Sequence, residues 1–224
     1  MEKRYKAIIF DFNGTIFLDS PFHERSWIEF ARGELGREVT PEEYYRHIHG
    51  ASNGMICKYL YGRELPPAES TRIGEMKESV YRELCLENKD TLEIAKGGPE
   101  LFDFLNVCGI PHAIATSAEI KNVEFFKGLF PLTEWFGDNI VYDDGTTRGK
   151  PAPDIYLKAG ARLGVPMKDI IVIEDAVNGL IAARDAGAGL VVGIAPYGVE
   201  KFAGAGFCDL IIKDFTELPR SLFR

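Results

Sequence analysis

An α/β fold with a parallel sheet and an inserted helical segment is predicted by three features of this 224-residue chain. Short β-rich runs alternate with helical patterns after Gly97-Gly98-Pro99, and such alternation implies crossover units between parallel strands. Residues 18–92, by contrast, carry helical patterning and no strand signal. The apolar run Ala7-Ile8-Ile9-Phe10 leads directly into Asp11-Phe12-Asn13-Gly14-Thr15, so a carboxylate and a glycine turn emerge where a buried strand would stop. The predicted architecture is a three-layer, parallel-sheet, Rossmann-like core built from residues 1–17 and 93–224. An α-helical cap, residues 18–92, is inserted after its first strand.

Taken in order, the first element is strand Ala7–Phe10. Ser20-Pro21 then reads as an N-cap followed by a proline suited to the first helical turn, and Trp27, Phe30, Ala31 and Leu35 recur at helical spacing. Thr40-Pro41-Glu42-Glu43 has capping-box spacing and predicts a second helix, which Gly50 through Gly54 should break. Met55–Tyr61 can form a short helical piece, Pro66-Pro67 punctuates, and Ala68–Leu86 favours helix despite Gly74. In the remainder, helices are expected over Glu100–Cys108, Ile120–Leu129, Asp154–Leu163 and Asn178–Ala186. Strands are expected over His112–Ala115, Asn139–Tyr142, Ile170–Ile173, Gly189–Val192 and Leu210–Ile212.

Composition narrows the function. With 46% hydrophobic residues the chain can bury a substantial core without staples. A formal net charge of -8 argues against broad adhesion to nucleic acid or to a membrane surface, so an anionic substrate needs local positive charge. Cys57, Cys85, Cys108 and Cys208 form no Cys-x-x-Cys pair and read as buried free thiols, not as a zinc cluster. Met1-Glu2-Lys3-Arg4-Tyr5 runs straight into the first strand without a signal-peptide pattern, and no apolar run approaches the roughly 20 residues of a spanning helix. The expected protein is cytoplasmic and, given its size and acidity, a monomer.

Four polar points fall at or near predicted strand ends: Asp11, Thr116-Ser117, Lys150 and Glu174-Asp175. In open parallel sheets ligands bind beyond the carboxyl ends of strands, so residues far apart in sequence can converge there. Asp11 can serve as a nucleophile toward phosphorus, although an isolated Asp before glycine more often organises a turn. Glu174 and Asp175 suit Mg²⁺, the plainer alternative being an acidic cap on the following helix. Lys150, between Gly149 and Pro151, is a rigidly held ammonium able to neutralise phosphoryl oxygens, whereas most lysines are merely solvated. Thr116 and Ser117 can hydrogen-bond phosphate or simply cap a turn.

The ordered set resembles the haloacid dehalogenase-like superfamily, in its phosphoglucomutase-like phosphatase branch with a small helical cap. Asp11-Phe12-Asn13-Gly14-Thr15 resembles the first motif, Ile114-Ala115-Thr116 the second, Gly149-Lys150-Pro151-Ala152-Pro153 the third, and Val172 through Gly179 the fourth. By that resemblance Asp11 would be phosphorylated, Thr116 and Lys150 would hold the phosphoryl group, and Asp11 with Asp175 would ligate Mg²⁺. Glu174 would support the metal shell, and the backbone carbonyl of Asn13 would complete it. The implied activity is hydrolysis of a small phosphorylated metabolite through an aspartyl-phosphate intermediate.

Asn13 departs from the family pattern, which normally places a second Asp here as general acid and base. An amide does not exchange a proton usefully near neutral pH. Because acid–base assistance is worth about 10² to 10⁴ of an acceleration that spans roughly 10⁶ to 10¹⁷, its loss weakens catalysis without abolishing it. Hydrolysis of esters with good leaving groups, cleavage of a phosphorus–carbon bond with Lys58 or Lys77 as Schiff-base lysine, and a phosphoacceptor or phosphate-binding role with little turnover all remain open. His23 and Trp27, one helical turn apart, are candidate substrate contacts or a packed pair. Asn53, in a stretch resembling the cap's substrate loop, stands where a sugar-phosphate mutase would present an arginine, which favours a monophosphate substrate.

Overall fold

The computed structural model describes residues 4–49, 51, 53–196, 198 and 206–223. Among these, β1 (Ala7–Phe10), β2 (His112–Glu119), β3 (Ile140–Asp143), β4 (Ile170–Glu174), β5 (Leu190–Ile194) and β6 (Leu210–Ile212) form one parallel sheet in the order β3-β2-β1-β4-β5-β6. The helices are α1 (Ser20–Leu35), α2 (Pro41–His47), α3 (Asn53–Tyr61), α4 (Pro67–Glu87), α5 (Gly98–Val107), α6 (Ile120–Leu129), α7 (Leu132–Phe136), α8 (Asp154–Leu163) and α9 (Val177–Asp185). The chain divides into two compact units, Met1–Leu18 with Ile94–Arg224, and Asp19–Glu93.

The first unit is the α/β sandwich expected from the alternation of patterns. All four residues of β1 are buried, because helices cover both faces of the sheet; that is why the strand reads as an unbroken apolar run. Successive side chains point to opposite faces. Ala7 and Ile9 pack in the cluster that contains Ile155, Tyr156 and Ala159 of α8 and Leu180 and Ala183 of α9. Phe10 meets Phe102 of α5 edge-on at 5.3 Å and Phe215 at 5.6 Å. Each such fully buried large side chain contributes roughly 1.5–3 kcal/mol.

The strand order creates the site. From β1 the sheet extends on one side through β2 to β3 and on the other through β4 to β6, so β1 and β4 flank a topological switch point. Phe10 is in register with Ile173, and the Asp11 N–H donates to the Ile173 carbonyl at 2.9 Å. Asp11 and Glu174 therefore leave the sheet side by side at the carboxyl ends of their strands.

The second unit is helical, as its patterning predicts, with Trp27, Phe30, Tyr44, Ile56, Leu60 and Ile73 in its core. The Thr40 capping box is present: Glu43 N–H donates to Thr40 Oγ1 at 3.2 Å and Thr40 N–H to Glu43 Oε2 at 3.4 Å. Other expectations shift. Ser20 is the first residue of α1 and not its cap; Asp19 occupies that position without a side-chain cap bond. Asn53 and Gly54 open α3 instead of breaking a helix, while Gly50 and Ser52 of the expected break lie outside the described residues. Helix α7 was not expected, since five residues are too short to display a period. Of the cysteines, Cys57 and Cys85 are buried thiols, but Cys108 and Cys208 are only half-buried.

Candidate active site

Each of the four polar stretches belongs to the first unit. The first is a tight turn: Thr15, Ile16 and Phe17 all direct their N–H groups at the Phe12 carbonyl, and Gly14 N–H donates to Phe17 O at 2.7 Å. Gly14 has φ of 78°, a left-handed conformation that glycine adopts without penalty. Asp11 stands at the base of this turn with 6% exposure.

Lys150, 7% exposed, reaches Asp11 Oδ1 at 2.6 Å and Glu174 Oε1 at 2.6 Å. Burial works against its charge, yet Asp11 and Glu174 more than offset that cost and hold the ammonium pKa well above the ordinary lysine value. Burial pushes the Asp11 carboxyl upward; Lys150 opposes the shift, and the charges of Glu174 and Asp175 reinforce it. With two carboxylate oxygens at 2.6 Å the protonated state of Lys150 is fixed by geometry. The strain of crowded negative charge falls on the carboxylates.

Oxygens of Asp11, Glu174 and Asp175 come within 4.8 Å of one another. All three carboxyl groups are buried, two of them on the Lys150 ammonium, and a cluster of hard oxygen donors of this kind fits a divalent cation. Glu174 has further partners. Its Oε2 accepts from Ala176 N–H at 2.6 Å, and its Oε1 is 3.2 Å from the Tyr156 hydroxyl. Ala176 is the N-cap of α9, so Glu174 is an acidic side chain bonded at the start of that helix. Tyr156 was missed by sequence reasoning; at helical spacing beside Ile155 and Ala159 it reads as core. Burial first, then the Glu174 charge, raises its phenol pKa well above the usual value, and it stays a donor.

Thr116 and Ser117 lie within β2 and not after it. The pairing with β3 is irregular between Ala115 and Glu119, so both occupy a stretch released from the regular ladder. Thr116 is buried, with Oγ1 3.4 Å from Asn13 Oδ1 and accepting from Ala118 N–H at 3.1 Å, whereas Ser117 is exposed. The first unit thus brings Asp11, Lys150, Glu174 and Asp175 together, with Thr116 beside Asn13.

The other candidates, His23, Trp27 and Asn53, belong to the second unit and share one polar network there. Lys77, 1% exposed, donates to His23 Nδ1 at 2.8 Å and to Glu78 Oε1 at 3.0 Å. With Lys77 as donor, His23 Nδ1 accepts, and His23 Nε2 lies 3.3 Å from Asp19 Oδ2. Tyr81 also donates to Asp19 and stacks on the His23 ring at 4.0 Å. Asn53 Nδ2 donates to Glu78 Oε1 at 3.1 Å. Trp27 is 3% exposed and lies in the core, with the Lys77 ammonium 5.2 Å from its ring centroid.

A family model described as haloacid dehalogenase-like hydrolase matches residues 5–187. Protein CbbY of Cereibacter sphaeroides is 32% identical over 95% of this chain and 94% of its own. Hexitol phosphatase A of Escherichia coli is 30% identical over 86% and 85%. Among solved structures, a HAD hydrolase of family IA, variant 3, from Entamoeba histolytica superposes with a TM-score of 0.88 at 36% identity, covering 97% of this chain and 96% of that one. An aspartate-to-asparagine variant of CbbY from Rhodobacter sphaeroides, in complex with xylulose-1,5-bisphosphate, gives 0.79 at 29% identity and 96% coverage of both. With a family model spanning most of its length and relatives of 30% and 32% identity covered over most of their own, the chain belongs to the haloacid dehalogenase-like hydrolases and is an enzyme acting on phosphate esters.

Proposed function

We propose that this chain hydrolyses monophosphate esters of small sugars or polyols through an Asp11 phosphoenzyme, with residues 1–17 and 93–224 as catalytic core and residues 18–92 as a substrate-selecting cap. The observation that carries the reading is the contact of Lys150 Nζ with Asp11 Oδ1 and Glu174 Oε1 at the switch point of the sheet. The names of relatives such as hexitol phosphatase A and fructose-1-phosphate phosphatase support the substrate class.

An Asp11 carboxylate oxygen attacks phosphorus, the ester P–O bond breaks, and the leaving alcohol takes a proton. Water then attacks the acyl phosphate, releasing inorganic phosphate and restoring Asp11. Lys150 shields the carboxylate from its anionic target and, having two of its three N–H groups on carboxylates, keeps one for a phosphoryl oxygen. Thr116 is assigned to the same phosphoryl group. Asp11, the Asn13 carbonyl and Asp175 would hold Mg²⁺, and the bound ion would supply charge neutralisation of the phosphoryl oxygens.

Asn13 cannot protonate the leaving group, so that proton comes from solvent or the substrate is an ester whose alkoxide leaves readily. The second unit supports a monophosphate ester over the alternatives. Neither Asn53 nor its partner Glu78 is a cation, and the neighbouring Lys77 is already paired with Glu78 instead of being presented to a second phosphate. Lys77 Nζ is engaged by Glu78 and His23, and Lys58 is exposed and pairs with Glu64, whereas Schiff-base formation needs an amine released from such partners. His23 and Asn53 are proposed to select the substrate's hydroxyl groups, with Trp27 shaping their support. Phosphate release from a panel of sugar and polyol phosphates should require Mg²⁺ and vanish in Asp11→Ala; turnover surviving that substitution would eliminate the mechanism.

A further inference from the structure

Tyr156 has no exposed surface and sits in α8 beneath the reacting carboxylate and its lysine. Its ring centroid is 5.0 Å from Lys150 Nζ and its hydroxyl 3.2 Å from Glu174 Oε1. A phenylalanine would fill the same volume in the surrounding cluster of Ile155, Ala159 and Leu180, so packing alone does not account for the hydroxyl. Glu174 is held from three directions: Tyr156 and Lys150 on Oε1, and the Ala176 N–H on Oε2. Room for it exists only because residue 179 is glycine, where a Cβ would lie 1.8 Å from Oε1.

We propose that Tyr156 is a positioning residue for phosphoryl transfer: with Ala176 N–H and the bare backbone of Gly179 it clamps the Glu174 carboxylate, and the clamped Glu174 aims the Lys150 ammonium. Three donors on its two oxygens commit Glu174 to Lys150, in keeping with a metal ligand set of Asp11, the Asn13 carbonyl and Asp175. An unclamped Glu174 can rotate away, and Lys150 then follows one carboxylate instead of standing between two. A hydrogen bond to a charged group is worth enough that losing it at a position felt only in the transition state lowers turnover about ten- to a hundredfold.

The inference rests on the phosphoenzyme reading for its kinetic arm alone. Tyr156→Phe, Glu174→Gln and the double variant are compared by p-nitrophenyl phosphate turnover with Mg²⁺ and, separately, by urea unfolding of the metal-free proteins. Tyr156→Phe should lower kcat with little change in KM, and it should add little to either measure in the Glu174→Gln background, because both act on one carboxylate. Full turnover by Tyr156→Phe, or additive effects of the two substitutions on metal-free stability, would overturn the clamp. Turnover by Asp11→Ala would instead remove the phosphoenzyme reading, while the metal-free coupling would still decide the clamp.

Discussion

Gly14 passes so close to Asp175 that a Cβ at residue 14 would lie 2.5 Å from Oδ2 and 2.9 Å from Oδ1. The glycine thus does two things: it allows a φ of 78° and leaves the volume that the Asp175 carboxylate occupies. Gly14→Ala should therefore displace Asp175 as well as strain the turn. Backbone strain alone costs about 1–2 kcal/mol. The expected outcome is a modest drop in unfolding free energy with a far larger fall in Mg²⁺-dependent phosphate release. A variant that loses only stability and keeps its Mg²⁺ dependence would show that Asp175 is not a ligand.

Asn13→Asp tests the missing acid. Thr116 Oγ1 lies 3.4 Å from Asn13 Oδ1, so a carboxylate of the same shape would keep that neighbour and introduce a titratable group. Turnover of esters with poor leaving groups should rise by about 10² to 10⁴, the usual worth of general acid–base assistance. Aryl phosphates, which need little protonation, should gain much less. Equal rates for both proteins on a sugar phosphate would place proton transfer elsewhere.

What the sequence made legible was the set of residues whose chemistry is conspicuous at a strand end or a rigid turn. Asp11 follows four apolar residues, Lys150 sits between Gly149 and Pro151, and Glu174-Asp175 close another apolar run; the sheet then had to bring them together. Tyr156 was illegible, because its spacing on α8 is that of a core residue and its polar partner lies 18 positions away. Lys77 was noticed only as an available amine, since its bond to His23 spans 54 positions. The helix boundaries at Ser20 and Asn53 shifted for a local reason: Asp19 and Asn53 are both polar residues that a pattern alone cannot assign to one side of a helix start.

Lys150→Met removes the ammonium that pairs with two buried carboxylates, Asp11 and Glu174. Truncating one side of a buried ion pair leaves the other side uncompensated, at a cost of about 3–5 kcal/mol. Metal-free Lys150→Met should be destabilised by an amount of that order in urea unfolding. Mg²⁺ should then stabilise the variant more than the parent, because the ion supplies charge that the lysine no longer does. Phosphate release should be lost in either case. An unchanged metal-free stability would mean that the pairs with Asp11 and Glu174 contribute nothing net to the fold.

The second unit carries its own alkaline limit. Burial, reinforced by the Asp19 charge, raises the Cys85 thiol from 9.0 to about 12 and holds the Tyr81 phenol well above its ordinary 10.0. The folded state therefore keeps protons that the unfolded chain gives up first. Since stability falls with pH wherever the native state binds more protons, these groups contribute fully below about pH 9 and progressively less as the pH rises toward their folded values. Urea midpoints measured from about pH 8 to about pH 12 should decline. The sign also separates the two groups: in Cys85→Ala the decline should be shallower, beginning nearer the phenol's ordinary pKa, although the variant starts from a lower stability because a buried side chain has been trimmed. A Cys85→Ala curve parallel to that of the parent would show that the thiol ionises as readily in the fold as in the unfolded chain.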